Sequence, residues 1–261
     1  MKIFDKEKKV SVFFESMRNA AGRALLLDYD GTLAPFRINR GDARPYPGIT
    51  GMLEKIIGAG KTRLVVISGR GLDDLIPLLG TRPLPELWGS HGGERLFLNG
   101  THETAVVPER LKHDLQRVSG WLLEKGWGRL LEKKPLSLAV HWRGLNERDI
   151  AGIRMALKTR LPDLVNGAVL TLHEFDGGLE FRPSGISKAQ AVDRILGEMP
   201  SGTAAAYLGD DLTDEDAFSA IKGRGLAVLV RETLRDTCAD LWLRPPDELL
   251  DFLRRWQAAT S

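Results

Sequence analysis

The sequence holds a single cysteine, Cys238, so no internal disulfide can form. Oxidative cross-linking plays no part in the fold, a reducing compartment fits, and the thiol is expected to be a buried structural one. No apolar run approaches the roughly 20 residues that cross a bilayer. The opening stretch MKIFDKEKKVSVFF carries charges throughout and lacks the apolar centre of a signal peptide. We therefore expect a cytoplasmic chain with no membrane role. A surplus of one charge is also missing: Lys+Arg 37 against Asp+Glu 35 leaves +2. That balance does not suit a nucleic-acid footprint spread over the surface, and no nucleic-acid partner is expected. Histidine is scarce, with 5 in the chain, and no His/Cys pair has the spacing of a zinc site. His102, His113 and His173 read most simply as surface or packing residues. Low-complexity tracts and solenoid periods are absent too.

What is there suffices for a sizeable core: 261 residues at 43% hydrophobic make one large domain or two modest ones. Short apolar runs alternate with amphipathic stretches. ALLLDYD (24–30), a helical pattern near 48–59, RLVVISGR (63–70), a helix near 71–79 and ELWGSHGG (86–93) come first. This alternation predicts right-handed βαβ units on a parallel sheet. The rhythm returns with a helix over 186–198, AAAYLGDD (204–211), a helix near 213–221, GLAVLV (225–230) and ELLDFLRRW (248–256). Between them, RLFLNGTHETAVV (95–107) predicts a hairpin about Asn99-Gly100. A helix over 108–125 follows, with an apolar stripe at Leu111, Leu115, Val118, Leu122 and Leu123. Then come paired strands RLLEKK (129–134) and SLAVHWR (137–143), a helix near 146–160, and strands AVLTLHE (168–174) and LEFRP (179–183). The predicted fold is α/β: a parallel-sheet core from residues 1–107 and 182–261, with an inserted α+β domain over 108–181. Trp121 and Trp127 are assigned to the insert's core.

Four elements carry chemistry. ALLLDYDGT puts Asp28 and Asp30 at a strand end, where a parallel sheet presents its ligand site. A carboxylate can attack phosphorus and divide a hard displacement into two easier ones, which suits Asp28. A second carboxylate can protonate the leaving oxygen and then deprotonate water, which suits Asp30. Gly31 permits the sharp turn and Thr32 can donate to the pair, although Asp-Gly is also an ordinary turn dipeptide. Ser68, ending VVISGR, can donate to a phosphoryl oxygen or simply cap a helix; Gly69 and Arg70 follow it, and Arg70 suits a phosphate or carboxylate fork. Lys188, opening a helix, can neutralise phosphoryl charge, although such lysines are usually exposed. Asp210, Asp211 and Asp214 in GDDLTDEDAF crowd a strand end. Three close carboxylates repel unless a cation lies among them, and oxygen ligands select magnesium; the alternative is a solvated acidic helix start.

In that order, LLLDYDGTLAPF, VVISGR, Lys188 and YLGDDLTDEDAF resemble the four motifs of the haloacid dehalogenase superfamily of phosphatases. GSHGGE (89–94), EKKPLSLAVHWR (132–143) and LEFRP (179–183) are similar to segments of its trehalose-phosphate branch. The resemblance covers about 23–230. It implies a Rossmann-like core with a mobile cap that closes over a sugar phosphate, Mg2+ as cofactor, and functional coupling to a trehalose-phosphate synthase. Carried over residue by residue, it implies Asp28 as nucleophile and metal ligand, and Asp30 as acid/base with its carbonyl on the metal. Ser68 and Lys188 would hold the phosphate and Asp210 would bind metal directly, with Asp211 and Asp214 as ligands through water or as orienting groups. His91 would orient substrate or cap, and Glu132, Lys134, His141, Arg143 and Glu180 would contact sugar hydroxyls and phosphate. One departure stands out: the family usually carries a lysine where this chain has Gly177, so a lysine restored there is expected to raise activity on the disaccharide phosphate or change nothing. Phosphatases for other glycosyl phosphates, such as mannosylglycerate phosphate or sucrose phosphate, and a catalytically silent partner of a synthase are the competing readings.

Overall fold

The computed structural model describes residues 3–37, 39–164, 170–175 and 177–260. In chain order the first elements are α1 (Ile3–Arg18), β1 (Gly22–Leu27), α2 (Ile49–Gly58), β2 (Arg63–Ile67), α3 (Leu72–Leu79), β3 (Glu86–Gly89), β4 (Glu94–Leu96) and β5 (His102–Thr104). Then come α4 (Glu109–Glu124), β6 (Leu131–Lys133), β7 (Leu138–His141), α5 (Glu147–Leu164), β8 (Leu170–Phe175) and β9 (Gly178–Pro183). The chain closes with α6 (Lys188–Gly197), β10 (Thr203–Gly209), α7 (Glu215–Ile221), β11 (Leu226–Val230), β12 (Leu241–Leu243) and α8 (Asp247–Ala259). Two compact units result, one of Met1–Glu103 with Ser187–Ser261 and one of Thr104–Ile186.

The larger unit is built on a sheet of order β12-β11-β10-β1-β2-β3-β4-β5. From β12 to β3 the strands are parallel, and β4 turns antiparallel to β3. Strand side chains alternate between faces. Leu25, Leu27, Leu64, Val66 and Leu208 pack with Leu53, Phe252 and Trp256 on one face. Ala24, Leu26, Val65, Ile67 and Tyr207 pack with Val192, Ile195 and Phe218 on the other. Both faces are covered, which is why ALLL and LVVI read as unbroken apolar runs rather than as alternation. β1 lies between β10 and β2, and the chain leaves this centre in both directions, so the carboxyl end of β1 sits at a topological switch point.

Two elements lie beyond the predicted set. α1 packs Phe13 and Phe14 against Trp256 and Phe252 of α8, at centroid distances of 5.9 and 5.3 Å. β12 is a three-residue strand beside β11. The expectation of a buried thiol fails: Cys238 is exposed. It lies in the polar segment RETLRDTCAD, where its backbone N–H donates to Glu215 Oε2 at 2.7 Å.

Arg63 opens β2 and Glu86 opens β3, and the two pair at 3.0 Å. Arg95 Nε donates to Glu86 at 2.9 Å, and Arg63 and Arg95 both grip Glu198, at 2.6 and 2.7 Å. The Arg95 hydrogen bond, with help from Arg63, pulls the Glu198 carboxyl down to about 2 from 4.5. A depressed folded-state pKa contributes stability that is present above the unfolded pKa and lost as pH falls through the folded one. Glu198 is 38% exposed, so solvent screening limits the gain. Glu198→Gln should cost about 0.5–1 kcal/mol at pH 7, and the gap from the parent should close between pH 4.5 and 2. Urea melts across that range check this; a gap constant with pH would show that the carboxylate's charge contributes nothing.

The smaller unit holds an antiparallel sheet of order β6-β7-β9-β8. Leu138, Val140, Leu179 and Phe181 face Val118 and Leu122 of α4 and Ile153 and Leu157 of α5. Trp121 and Trp127 meet edge to face at 5.8 Å against this core. On the sheet's other face, Glu132, Ala139, Glu180 and His173 fall in one cross-strand row.

Candidate active site

Asp28 directly follows β1, and its N–H continues the ladder to Leu208 O at 2.8 Å. That bond fixes a buried carboxylate at the switch point. The chain then turns through Gly31, whose φ is +82° and whose N–H donates to Ala34 O at 2.7 Å. A Cβ on Gly31 would lie 2.1 Å from Asp210 Oδ2. Glycine is therefore required twice, for the left-handed backbone and for the close approach of two acidic loops.

Lys188 opens α6 behind the N-cap Ser187 and, unlike most helix-opening lysines, is buried. Its Nζ donates to Asp28 Oδ1 at 2.6 Å and to Asp214 Oδ1 at 2.7 Å. Thr32 Oγ1 donates to Asp28 Oδ2 at 3.3 Å. Asp214 is fully buried and its oxygens accept four bonds. Oδ1 takes Lys188 and the Tyr207 hydroxyl at 2.5 Å; Oδ2 takes the N–H groups of Asp210 and Asp211 at 3.0 Å each. Asp211 instead caps the short turn before α7, accepting from Leu212 N at 2.7 Å.

Among the described residues, Asp28, Asp210 and Asp214 form an acidic cluster with candidate ligand atoms within 4.8 Å of one another. Asp210 Oδ1 is buried without a hydrogen-bond partner. Burial raises the Asp28 pKa to about 7, with Asp214 and Asp30 adding to the rise and Lys188 opposing it. Burial, then repulsion from Asp28 and Asp214, pushes Asp210 well above the usual carboxylate range. Burial alone would raise Asp214 as well, but Lys188, Tyr207 and the Asp211 N–H together pull it down. Lys188 moves upward, because Asp214 and Asp28 outweigh its burial. An unpaired buried carboxylate oxygen beside two more carboxylates fits a hard divalent cation, and Asp28 and Asp210 are the residues that could hold one.

Asp30 sits beside this cluster, outside it. Arg70 Nε and Nη2 fork its two oxygens at 2.6 Å each, so the guanidinium that was expected to serve the substrate is here engaged with a residue of the chain itself. Ser68 is buried; its N–H donates to Trp88 O at 2.8 Å and its Oγ accepts from Arg70 N at 3.1 Å. His91 and the preceding Ser90 have φ of 59° and 49°, a conformation that costs non-glycine residues about 1–3 kcal/mol each. Their N–H groups reach back to Ser68 O at 2.9 Å and Arg70 O at 2.7 Å, and a Cβ at Gly69 would lie 2.7 Å from the His91 ring. The strained pair thus seats the imidazole on Gly69.

The remaining candidates belong to the smaller unit's sheet and its margins. His141 Nε2 meets Glu132 Oε2 at 2.6 Å. Glu180 Oε1 accepts from Lys134 Nζ at 2.8 Å and Ser137 Oγ at 2.6 Å. Gly177 has φ of +96°, and a Cβ there would lie 3.1 Å from Arg143 Nε. The guanidinium of Arg143 thus lies against the position where the resemblance led us to expect a lysine and this chain has Gly177.

Tyr207 is the residue that sequence reasoning missed. It reads as one more apolar residue of β10, although a buried tyrosine hydroxyl demands a partner. Tyr207→Phe should cost about 1.5–3 kcal/mol of unfolding free energy, the worth of a buried hydrogen bond to a charged acceptor. Denaturant melts measure it directly, and a change under 0.5 kcal/mol, the scatter of neutral substitutions, would show that Asp214 does not depend on the hydroxyl.

A family model described as trehalose-phosphatase matches residues 26–239. A trehalose-phosphate phosphatase of Mycobacterium leprae is 30% identical over 254 residues, covering 89% of this chain and 57% of that protein. A trehalose-6-phosphate phosphatase of Escherichia coli is 29% identical over 212 residues, covering 81% of this chain and 78% of that one. The chain spans about three fifths of the length of the mycobacterial relatives it matches. In fold it is similar to the C-terminal domain of the Candida albicans trehalose-6-phosphate phosphatase, with a TM-score of 0.81 at 20% identity over 95% of this chain and 96% of that one. The match takes in both acidic strand ends, Ser68, Lys188 and the whole smaller unit, and the chain belongs to the trehalose-phosphatase family.

Proposed function

We propose that this chain is a magnesium-dependent phosphatase that hydrolyses trehalose 6-phosphate to trehalose and phosphate through an aspartyl phosphate on Asp28. The observation that carries this reading is the buried set in which Lys188 binds Asp28 and Asp214 while Asp210 keeps an unpaired oxygen. Asp28 and Asp210, with the Asp30 carbonyl, would hold the metal; Asp211 would act through water, and Asp214 would anchor Lys188 and the loop. When bound, magnesium supplies charge compensation for the carboxylates and the phosphoryl group.

The Asp28 carboxylate attacks phosphorus, the bond from phosphorus to the sugar oxygen breaks, and Asp30 gives that oxygen a proton. Asp30 then takes a proton from the water that cleaves the acyl phosphate. To reach either oxygen it must leave the Arg70 fork, so Arg70 sets the acid's resting position. Lys188 stays protonated and acts as a fixed cation beside the phosphoryl oxygens, with Ser68 Oγ and the Gly69 N–H as further donors. Glu132, Lys134, His141, Arg143 and Glu180 would serve the sugar. A trehalose-phosphate synthase would supply the substrate.

Phosphate release from a panel of trehalose 6-phosphate, sucrose phosphate, mannosylglycerate phosphate and glucose 6-phosphate tests the reading. Trehalose 6-phosphate should lead by at least about tenfold in kcat/KM, about 1.4 kcal/mol in the barrier, and excess chelator should bring release to background. Another glycosyl phosphate in the lead would replace the substrate, and release that persists in chelator would remove the metal.

A further inference from the structure

We infer that Arg235 is a positioning residue that sets magnesium affinity by gripping the acidic loop through its main chain. The inference rests on the metal reading above. Asp210 and Asp211 leave β10 in irregular backbone, where the Asp211 carbonyl accepts one backbone N–H, from Asp214 at 3.0 Å, and both carbonyls accept from arginine. Arg235 Nη2 donates to Asp210 O at 3.2 Å and to Asp211 O at 2.8 Å, and Arg231 Nη1 lies 3.5 Å from Asp210 O. One guanidinium thus ties together the two peptides from which the acidic side chains spring.

Arg235 is itself held in place. Its Nη1 pairs with Glu215 and donates to Asp236 O at 2.8 Å, and Glu215 Oε2 accepts from Cys238 N at 2.7 Å. Arg231 is stitched to β12 through Leu243 O at 3.0 Å and Trp242 Nε1 at 2.7 Å. The segment between β11 and β12 therefore acts as a brace on the loop that carries Asp210.

Two physical effects follow. Peptides already fixed lose no freedom when a cation binds, so the site is preorganised and binding is tighter. The guanidinium's charge, set against the main chain of Asp210, by itself repels a cation and works against binding at the cluster of Asp28, Asp210 and Asp214, so the gain in affinity comes from the fixed peptides. Groups that orient ligand-bearing residues commonly change metal affinity by about 10–100-fold when removed.

The test is the magnesium dissociation constant of the full chain, taken from titration calorimetry and from the rise of melting temperature with magnesium chloride. Arg235→Ala should weaken magnesium by about tenfold or more. Arg235→Lys should recover part of the loss, because an ammonium can donate to one of the two carbonyls but cannot fork both. A melting temperature lowered equally at every magnesium concentration, with an unchanged dissociation constant, would reduce Arg235 to a structural brace and overturn the inference. If Arg235→Ala does not fold, Arg235→Lys and Glu215→Gln carry the same test; weakening of at least about threefold supports it, and unchanged affinity in both overturns it. A parent protein with no magnesium response would sink the metal reading itself, a result visible without any variant.

Discussion

Asp28→Asn is expected to abolish turnover and, in excess chelator, to raise the melting temperature at neutral pH. An amide cannot form the acyl phosphate, so phosphate release should fall by about 10⁴-fold or more, about 5.4 kcal/mol in the barrier. The stability gain follows from the cluster's electrostatics. Burial first, and then Asp214 and Asp30, raise the Asp28 pKa from 3.8 to about 7. A carboxyl with a raised folded-state pKa takes up a proton on folding, so stability declines as pH climbs through that window. Below 3.8 both states are protonated and the term vanishes; above about 7 it is fully expressed. Asparagine carries no such penalty. The melting-temperature gap between variant and parent should therefore open from pH 4 to pH 7.5. A variant less stable than the parent at pH 7.5 would mean that the Lys188–Asp28 bond outweighs burial, and a variant with near-normal turnover would remove Asp28 as nucleophile.

The parts of the site that were legible in the sequence share one cause. Residues at the carboxyl ends of β1, β2 and β10 follow apolar runs buried on both faces, so Asp28, Ser68 and Asp210 could be placed from chain rhythm alone. Lys188 was legible only in company, since nothing local distinguishes a buried helix-opening lysine from an exposed one. What the sequence hides is pairing. Arg70 forking Asp30 joins residues 40 positions apart, and Tyr207 meeting Asp214 depends on which face of β10 the tyrosine takes. Arg235 reads as a surface charge in a polar segment, and its partners are backbone carbonyls, which leave no pattern in side-chain chemistry. The missed α1 is another matter. Val10, Phe13, Phe14 and Met17 have the i, i+3, i+4, i+7 spacing of a packed helix, but that stripe is short and the charges interspersed through MKIFDKEKKVSVFF dilute it. β12, at three residues, carries no periodicity long enough to read.

Gly177→Lys is expected to lower activity on trehalose 6-phosphate, contrary to what the family pattern suggested. Residue 177 has φ of +96°, outside the range that a lysine backbone adopts without strain, and its Cβ would press on Arg143 Nε. The strain costs about 1–2 kcal/mol, and the displaced guanidinium is the group already holding positive charge there. If that charge reads the sugar phosphate, Arg143→Ala should cost roughly 10–1,000-fold in kcat/KM on trehalose 6-phosphate, about 1.4–4 kcal/mol, and Glu132→Gln a loss at the lower end of that range. Neither change should matter on nitrophenyl phosphate, whose small leaving group offers no sugar hydroxyls. Glu180 obeys a different rule. It is buried and accepts from Lys134 at 2.8 Å and Ser137 at 2.6 Å, so Glu180→Ala removes two hydrogen bonds to a buried charge and should destabilise the smaller unit by about 2–4 kcal/mol. Its losses on the disaccharide therefore confound recognition with folding, and only variants with unchanged melting curves decide the question. The sharpest measurement is the cycle of Gly177→Lys, Arg143→Ala and the double variant. If one cation over residue 177 is what the substrate requires, the lysine should harm the parent yet recover part of the activity lost in Arg143→Ala. Strictly additive losses on trehalose 6-phosphate, or equal losses on both substrates, would show that Arg143 supports the fold of its own unit and leaves sugar recognition to other residues.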